Sequence, residues 1–175
     1  AVNVPIAAGE ELYLWDGFRE WIEKRAIDIL HPDLLTSGGM METKKIADYG
    51  ERYGLPTALH FAGSPIAFMA NLHCAAATEN FVALENHSVD VPFWEDLVSG
   101  PPKPLIEDGF AKVPDRPGLG VELVDEVVKQ HLAEPGYFEP TPEWNKSRTN
   151  DRLWSMHPSP APRGRKAAVQ RLFEG

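Results

Sequence analysis

The feature that most constrains this chain is a recurring interval. Four short apolar runs follow one another along its first half, and each is followed closely by an ionisable residue. Those residues are Glu10, Asp33, His60 and Glu85, spaced 23, 27 and 25 positions apart. One strand and one crossover helix occupy about that length, so the interval predicts successive βα units and a parallel sheet. The strands are expected over residues 2–8, 26–30, 55–59 and 81–84.

The segments between them carry helical signals. Asp16 is the expected N-cap of the first helix, and Phe18, Trp21, Ile22 and Arg25 fall on one face. Residues 36–39 read as a turn. A second helix over 42–53 has Ile46, Tyr49, Gly50 and Tyr53 as its inner stripe, with Gly54 and Pro56 as stop signals. Ser64-Pro65 forms an N-cap followed by a first-turn proline. The helix it opens, 66–77, is apolar almost all round, which predicts burial on several sides. In a closed parallel barrel every strand delivers its C-terminal end to one rim, and catalytic groups come from several such ends. The four ionisable residues are therefore expected to converge on one mouth.

Composition narrows the possible partners. The net charge is −9, which argues against nucleic acid, whose phosphates need a basic surface. No apolar run approaches a membrane span, and the N-terminus lacks a signal-peptide pattern. The single cysteine, Cys74, lies in an apolar run and reads as a reduced, buried thiol with no base beside it. A cytoplasmic setting is the corresponding expectation. The chain begins at Ala1, inside what reads as a strand, which suggests sequence upstream.

Roles for the four residues follow from their chemistry. Magnesium takes hard oxygen ligands, often one or two carboxylates plus substrate oxygens, and Glu10 suits that role. Asp33 can orient His60 and stabilise its cation, making the imidazole a proton acceptor near neutral pH. Glu85 can donate a hydrogen bond to a developing oxyanion if burial keeps it protonated. A metal, a His–Asp pair and a neutral acid together suit removal of a proton beside a carboxylate, through an enediolate.

The motifs around these residues carry a resemblance. In order they are Pro5-Ile6-Ala7-Ala8-Gly9-Glu10; His31-Pro32-Asp33 with Gly38-Gly39 and Lys45-Ile46-Ala47; His60 with Ser64-Pro65; Asn71-Leu72-His73; Asn80-Phe81; Leu84-Glu85; Asp108-Gly109; and Pro117-Gly118-Leu119-Gly120. Over roughly residues 1–130 the chain resembles the enolase superfamily, in its mandelate racemase/muconate lactonizing branch. The resemblance implies the C-terminal half of a parallel (β/α) TIM-type barrel, about strands five to eight. It implies Mg2+ with Glu10 as a metal ligand, Asp33 and His60 as the acid/base dyad, and Glu85 as the carboxyl hydrogen-bond donor. His73 matches a position inside the last helix and reads as structural.

Residues 101–132 and the Asp151-Arg152-Leu153-Trp154-Ser155 stretch resemble the acid-sugar dehydratases most. That implies a small-molecule sugar acid as substrate and a 2-keto-3-deoxy acid as product. A racemase, epimerase or cycloisomerase on the same site is the alternative, and a non-catalytic barrel fragment is another. Family members also carry an N-terminal capping domain and the earlier barrel strands, with two more metal carboxylates. With only four strands, this chain is expected to need that missing half as a partner, to be inactive alone and to hold magnesium poorly. A homo-oligomer is expected.

The rest of the chain changes character. Residues 1–100 are assigned to the barrel half and 101–175 to a Pro-rich extension packed on it. Within the extension a hairpin is expected at 104–113 around Asp108-Gly109. An amphipathic helix is expected over 121–132, with Leu123, Val124, Val127, Val128 and Leu132 inward. Residues 135–162 read as irregular, pinned by Trp144 and Trp154. A last helix is expected over 166–173, its cluster of Arg163, Arg165 and Lys166 solvated.

Overall fold

Short apolar runs produce four very short parallel strands in a computed structural model that describes residues 3–132. They are β1 (Ala7–Ala8), β2 (Ile29–Leu30), β3 (Thr57–Leu59) and β4 (Phe81–Leu84). Between them lie α1 (Leu14–Glu23), α2 (Met40–Arg52) and α3 (Pro65–Ala76). The sheet order is β1-β2-β3-β4, all parallel. Neighbours in sequence are thus neighbours in space, the order of a singly wound βα array; a doubly wound sheet would reverse direction at a switch point.

Helix ends follow local chemistry. The Ser64 hydroxyl accepts from the Ala67 N–H at 3.4 Å, and Pro65 occupies the first turn of α3, as expected. α2 ends where Gly54 takes φ +71°, in line with the stop signal read there. At α1 the expectation needs correction. Its N-cap is Tyr13, which makes no side-chain cap bond, and Asp16 sits inside the first turn. The missing cap comes from α2 instead, where the Glu42 carboxylate accepts the Trp15 N–H at 2.9 Å. α1 ends at Glu23, so Arg25 lies beyond it with φ 49°.

Two large buried clusters hold the array, beside a small third one of Leu34, Ala70 and Cys74. Phe18 and Ile22 of α1 meet Leu30, Ile46 and Leu55 over the first part of the sheet. Gly50 permits this contact: a Cβ there would stand 2.1 Å from Leu30 Cδ1. Phe61, Phe68, Met69 and Leu72 form the other cluster with Trp94, Val98 and Leu105. The Trp94 indole N–H donates to the Gly63 carbonyl at 2.7 Å, tying the segment after β4 to the loop after β3. Cys74 is buried in α3, and desolvation pushes its thiol above the usual value.

Downstream, the hairpin signal at Asp108-Gly109 gives an antiparallel bridge between Glu107 and Phe110. The expected helix over 121–132 is only partly formed. β5 (Val98–Ser99) pairs with β6 (Glu122–Leu123), which takes the start of that segment into extended backbone. α4 is confined to Asp125–Gln130, and Leu123 is exposed rather than inward. The Gly118 and Gly120 turns place residues 121–123 beside β5, and ladder hydrogen bonds replace helical ones there.

The contact pattern divides the chain after Gln130. Residues 101–130 therefore belong to the first unit, with Leu105 in its core and Ile106, Ala111, Leu119 and Val121 packed against it. The expectations for Trp144, Trp154, Arg163, Arg165, Lys166, the 135–162 stretch and the 166–173 helix lie outside the described residues. Among those described, no helix is long and apolar enough to cross a membrane.

Candidate active site

The backbone ladder continues past each strand end and fixes the side chains there. The His31 N–H donates to Ala8 O at 3.0 Å, His60 N–H to Pro32 O at 3.1 Å, Glu85 N–H to Leu59 O at 2.9 Å and His87 N–H to Phe61 O at 3.2 Å. An isolated parallel bridge links Asp33 with His60. Four successive tips are thereby held side by side. Gly9, with φ +132°, supports the first of them. A Cβ there would come within 2.7 Å of the Phe18 ring, so only glycine lets the chain turn Glu10 toward the mouth this close to α1.

All four sequence-selected residues meet at this end of the sheet. His60 Nδ1 lies 2.6 Å from Asp33 Oδ2. The buried Asp33 carboxylate is itself oriented, because its Oδ1 accepts the Leu35 N–H at 2.7 Å. His60 Nε2 points the other way, 3.3 Å from Glu10 Oε2 and 3.8 Å from Glu85 Oε2. A carboxylate only accepts, so the Asp33 contact puts the ring proton of neutral His60 on Nδ1. That leaves Nε2 with a lone pair facing the mouth, which is the state a general base requires.

Two further residues belong to the cluster. His31 Nδ1 donates to Ala58 O at 2.8 Å, and its Nε2 lies 3.0 Å from Glu85 Oε2. His87 Nε2 lies 2.7 Å from Glu85 Oε1. The imidazoles of His31 and His60 stand edge to face at 5.4 Å between centroids. The sequence held a signal for both. His31 is two positions before Asp33 and His87 two after Glu85, and residues two apart on extended backbone share a face. His73, in contrast, sits on α3 with Nε2 3.3 Å from Leu119 O, tying that helix to the 117–120 turn.

The donor set bears on magnesium. Asp33 is committed to His60 and the Leu35 N–H, and Glu85 is surrounded by imidazoles. Glu10 is half exposed at the mouth and is the hard oxygen ligand this chain can offer. The fit is that of one ligand within a larger set.

The chain is therefore a parallel βα array that carries carboxylates and a His–Asp pair at its strand tips. The chain belongs to the enolase C-terminal domain-like family, whose sequence profile matches residues 1–127. It is similar to a D-xylonate dehydratase of Haloferax volcanii, 44% identical over 134 residues, covering 77% of this chain and 32% of that protein. An arabinonate dehydratase of Saccharolobus solfataricus is 34% identical over 134 residues, covering 74% and 34%. Among solved structures, a mandelate racemase/muconate lactonizing enzyme-like protein from Rubrobacter xylanophilus matches with a TM-score of 0.74 at 41% identity, covering 77% and 34%. The chain spans about a third of the length of these relatives.

Proposed function

We propose that this chain supplies the acid/base side of the active site of a sugar-acid dehydratase. The observation that carries the reading is the His60 imidazole, clamped by Asp33 at 2.6 Å with Nε2 turned to the mouth between Glu10 and Glu85. In this reading His60 Nε2 moves the proton at the α-carbon or at the departing hydroxyl. Asp33 holds the ring and stabilises the imidazolium that forms. Glu85 donates a hydrogen bond to oxygen as negative charge develops there. Loss of the α-proton and of the neighbouring hydroxyl as water leaves an enol, which becomes the 2-keto-3-deoxy acid. Glu10 is the residue that would ligate magnesium, which when bound supplies positive charge beside the substrate carboxylate. The dehydratase names of the relatives support the reaction class.

Activity is assigned to the chain together with a partner half of the barrel. Val82 on β4 is 58% exposed, and a groove of about 560 Å³ runs along that edge past Phe68, Leu72, Ile106 and Phe110. An apolar sheet edge of this kind needs a covering element, and the relatives are about three times longer than the stretch they share with this chain.

The test is turnover of pentonic and hexonic acids with Mg2+ by the protein joined to the rest of its barrel, read as keto-acid formation. His60→Asn is expected to cut kcat by about 10²–10⁴-fold, the usual contribution of a general base. A variant as active as the parent would refute the assignment.

A further inference from the structure

The protons at the mouth can be counted, and the count leaves acceptors facing acceptors. Asp33 fixes the proton of neutral His60 on Nδ1, so Nε2 is bare toward Glu10 at 3.3 Å and Glu85 at 3.8 Å. The Ala58 carbonyl likewise fixes the proton of neutral His31 on Nδ1, 2.8 Å away. His31 Nε2 is then bare 3.0 Å from Glu85 Oε2. With both rings neutral and Glu85 ionised, lone pairs from two rings converge on carboxylate oxygens with no hydrogen between them, and either a proton or a metal cation relieves that arrangement.

A second observation says which kind. One ligand atom each from His60, Glu85 and His87 lie within 4.8 Å of one another. A carboxylate behind an imidazole, as Asp33 stands behind His60, is the outer-shell pattern that orients a histidine for metal ligation. Two imidazoles and one carboxylate suit zinc, cobalt or nickel, whereas magnesium prefers oxygen alone.

We propose that His60, Glu85 and His87 form a site for a divalent transition ion, adjacent to the Glu10 carboxylate assigned to magnesium. Neutral His87 shifts its proton from Nε2 to Nδ1 through solvent, and the Nε2 lone pair so freed goes to the ion. His60 keeps its Nδ1 proton on Asp33 and coordinates through Nε2. His31 Nε2, against the same Glu85 carboxylate, is the adjacent donor. The bound ion occupies the nitrogen that the dehydratase reading needs for proton transfer, so the site is inhibitory; this last consequence rests on that reading, and the binding does not.

Cobalt tests it directly. The 175-residue chain is titrated with Co2+ while d–d absorption is followed, with circular dichroism on the same samples. A saturable band is expected, and it should persist in roughly hundredfold excess Mg2+. His87→Ala should weaken binding at least about tenfold, and Asp33→Asn by about 10–100-fold as an outer-shell partner. His73→Ala should leave it unchanged. No band, equal affinity in His87→Ala, or displacement of cobalt by magnesium would each overturn the proposal. The signal comes from the ion itself, so a failed turnover assay does not touch it, and a missing band leaves the dehydratase reading standing.

Discussion

Replacing Asp33 with Asn changes one atom and should invert the proton inventory of the dyad. Asp33 Oδ1 is held by the Leu35 N–H at 2.7 Å, an interaction the Asn carbonyl oxygen can keep. Keeping it turns the amide nitrogen toward His60 Nδ1, where Oδ2 now stands at 2.6 Å. An amide N–H donates, so Nδ1 must become the acceptor and the ring proton moves to Nε2. Nε2–H then points at Glu10 Oε2, 3.3 Å away, and no lone pair faces the substrate. The hydrogen bond to a charged partner, worth about 1.5–3 kcal/mol, is also lost to the imidazolium. That term alone corresponds to roughly 10–150-fold in rate, and losing the base altogether extends the fall to about 10²–10⁴-fold. KM should move little, because the position of the ring is kept. The assay is keto-acid formation by the barrel-complete protein, with the His60 tautomer read from imidazole nitrogen shifts. Parent-level kcat with the tautomer inverted would refute the proton-transfer role. An unchanged tautomer would refute the geometric argument.

Two further outcomes follow from the packing. Gly50→Ala should be destabilising despite the gain of about 1 kcal/mol that alanine brings to a helix. Its Cβ would meet the fully buried Leu30 side chain at 2.1 Å, and overpacking costs about 1–3 kcal/mol; a thermal midpoint higher than the parent's would contradict this. Glu42 is held below the usual carboxylate range first by the Trp15 N–H and then by Lys45. Its folded value lies below its unfolded one, so the stability it contributes is present above the unfolded value and fades as pH falls through the folded one. The parent should therefore melt higher than Glu42→Gln near neutral pH and converge with it in acid, and a constant gap would rule this out.

Much of this architecture was written locally. The 23-, 27- and 25-residue intervals dictate strand-helix alternation, and the Ser64-Pro65 and Gly54-Pro56 signals set helix boundaries through short-range hydrogen bonding. The convergence of Glu10, Asp33, His60 and Glu85 was also legible, because parallel strands present their ends on one side. Other features depend on partners distant in sequence. Residues 121–123 carry an apolar helical pattern, yet they pair with β5 because the 117–120 turn brings them beside it. Tyr13 has no cap of its own, and Glu42, 27 residues from Trp15, supplies one. Spacing brought His60 and Asp33 to neighbouring tips, but only the folded chain set Nδ1 on Asp33 and surrounded Glu85 with three imidazoles. Periodicity along a chain fixes which face a side chain occupies; which atom it meets there depends on strands that the sequence holds about 25 residues apart.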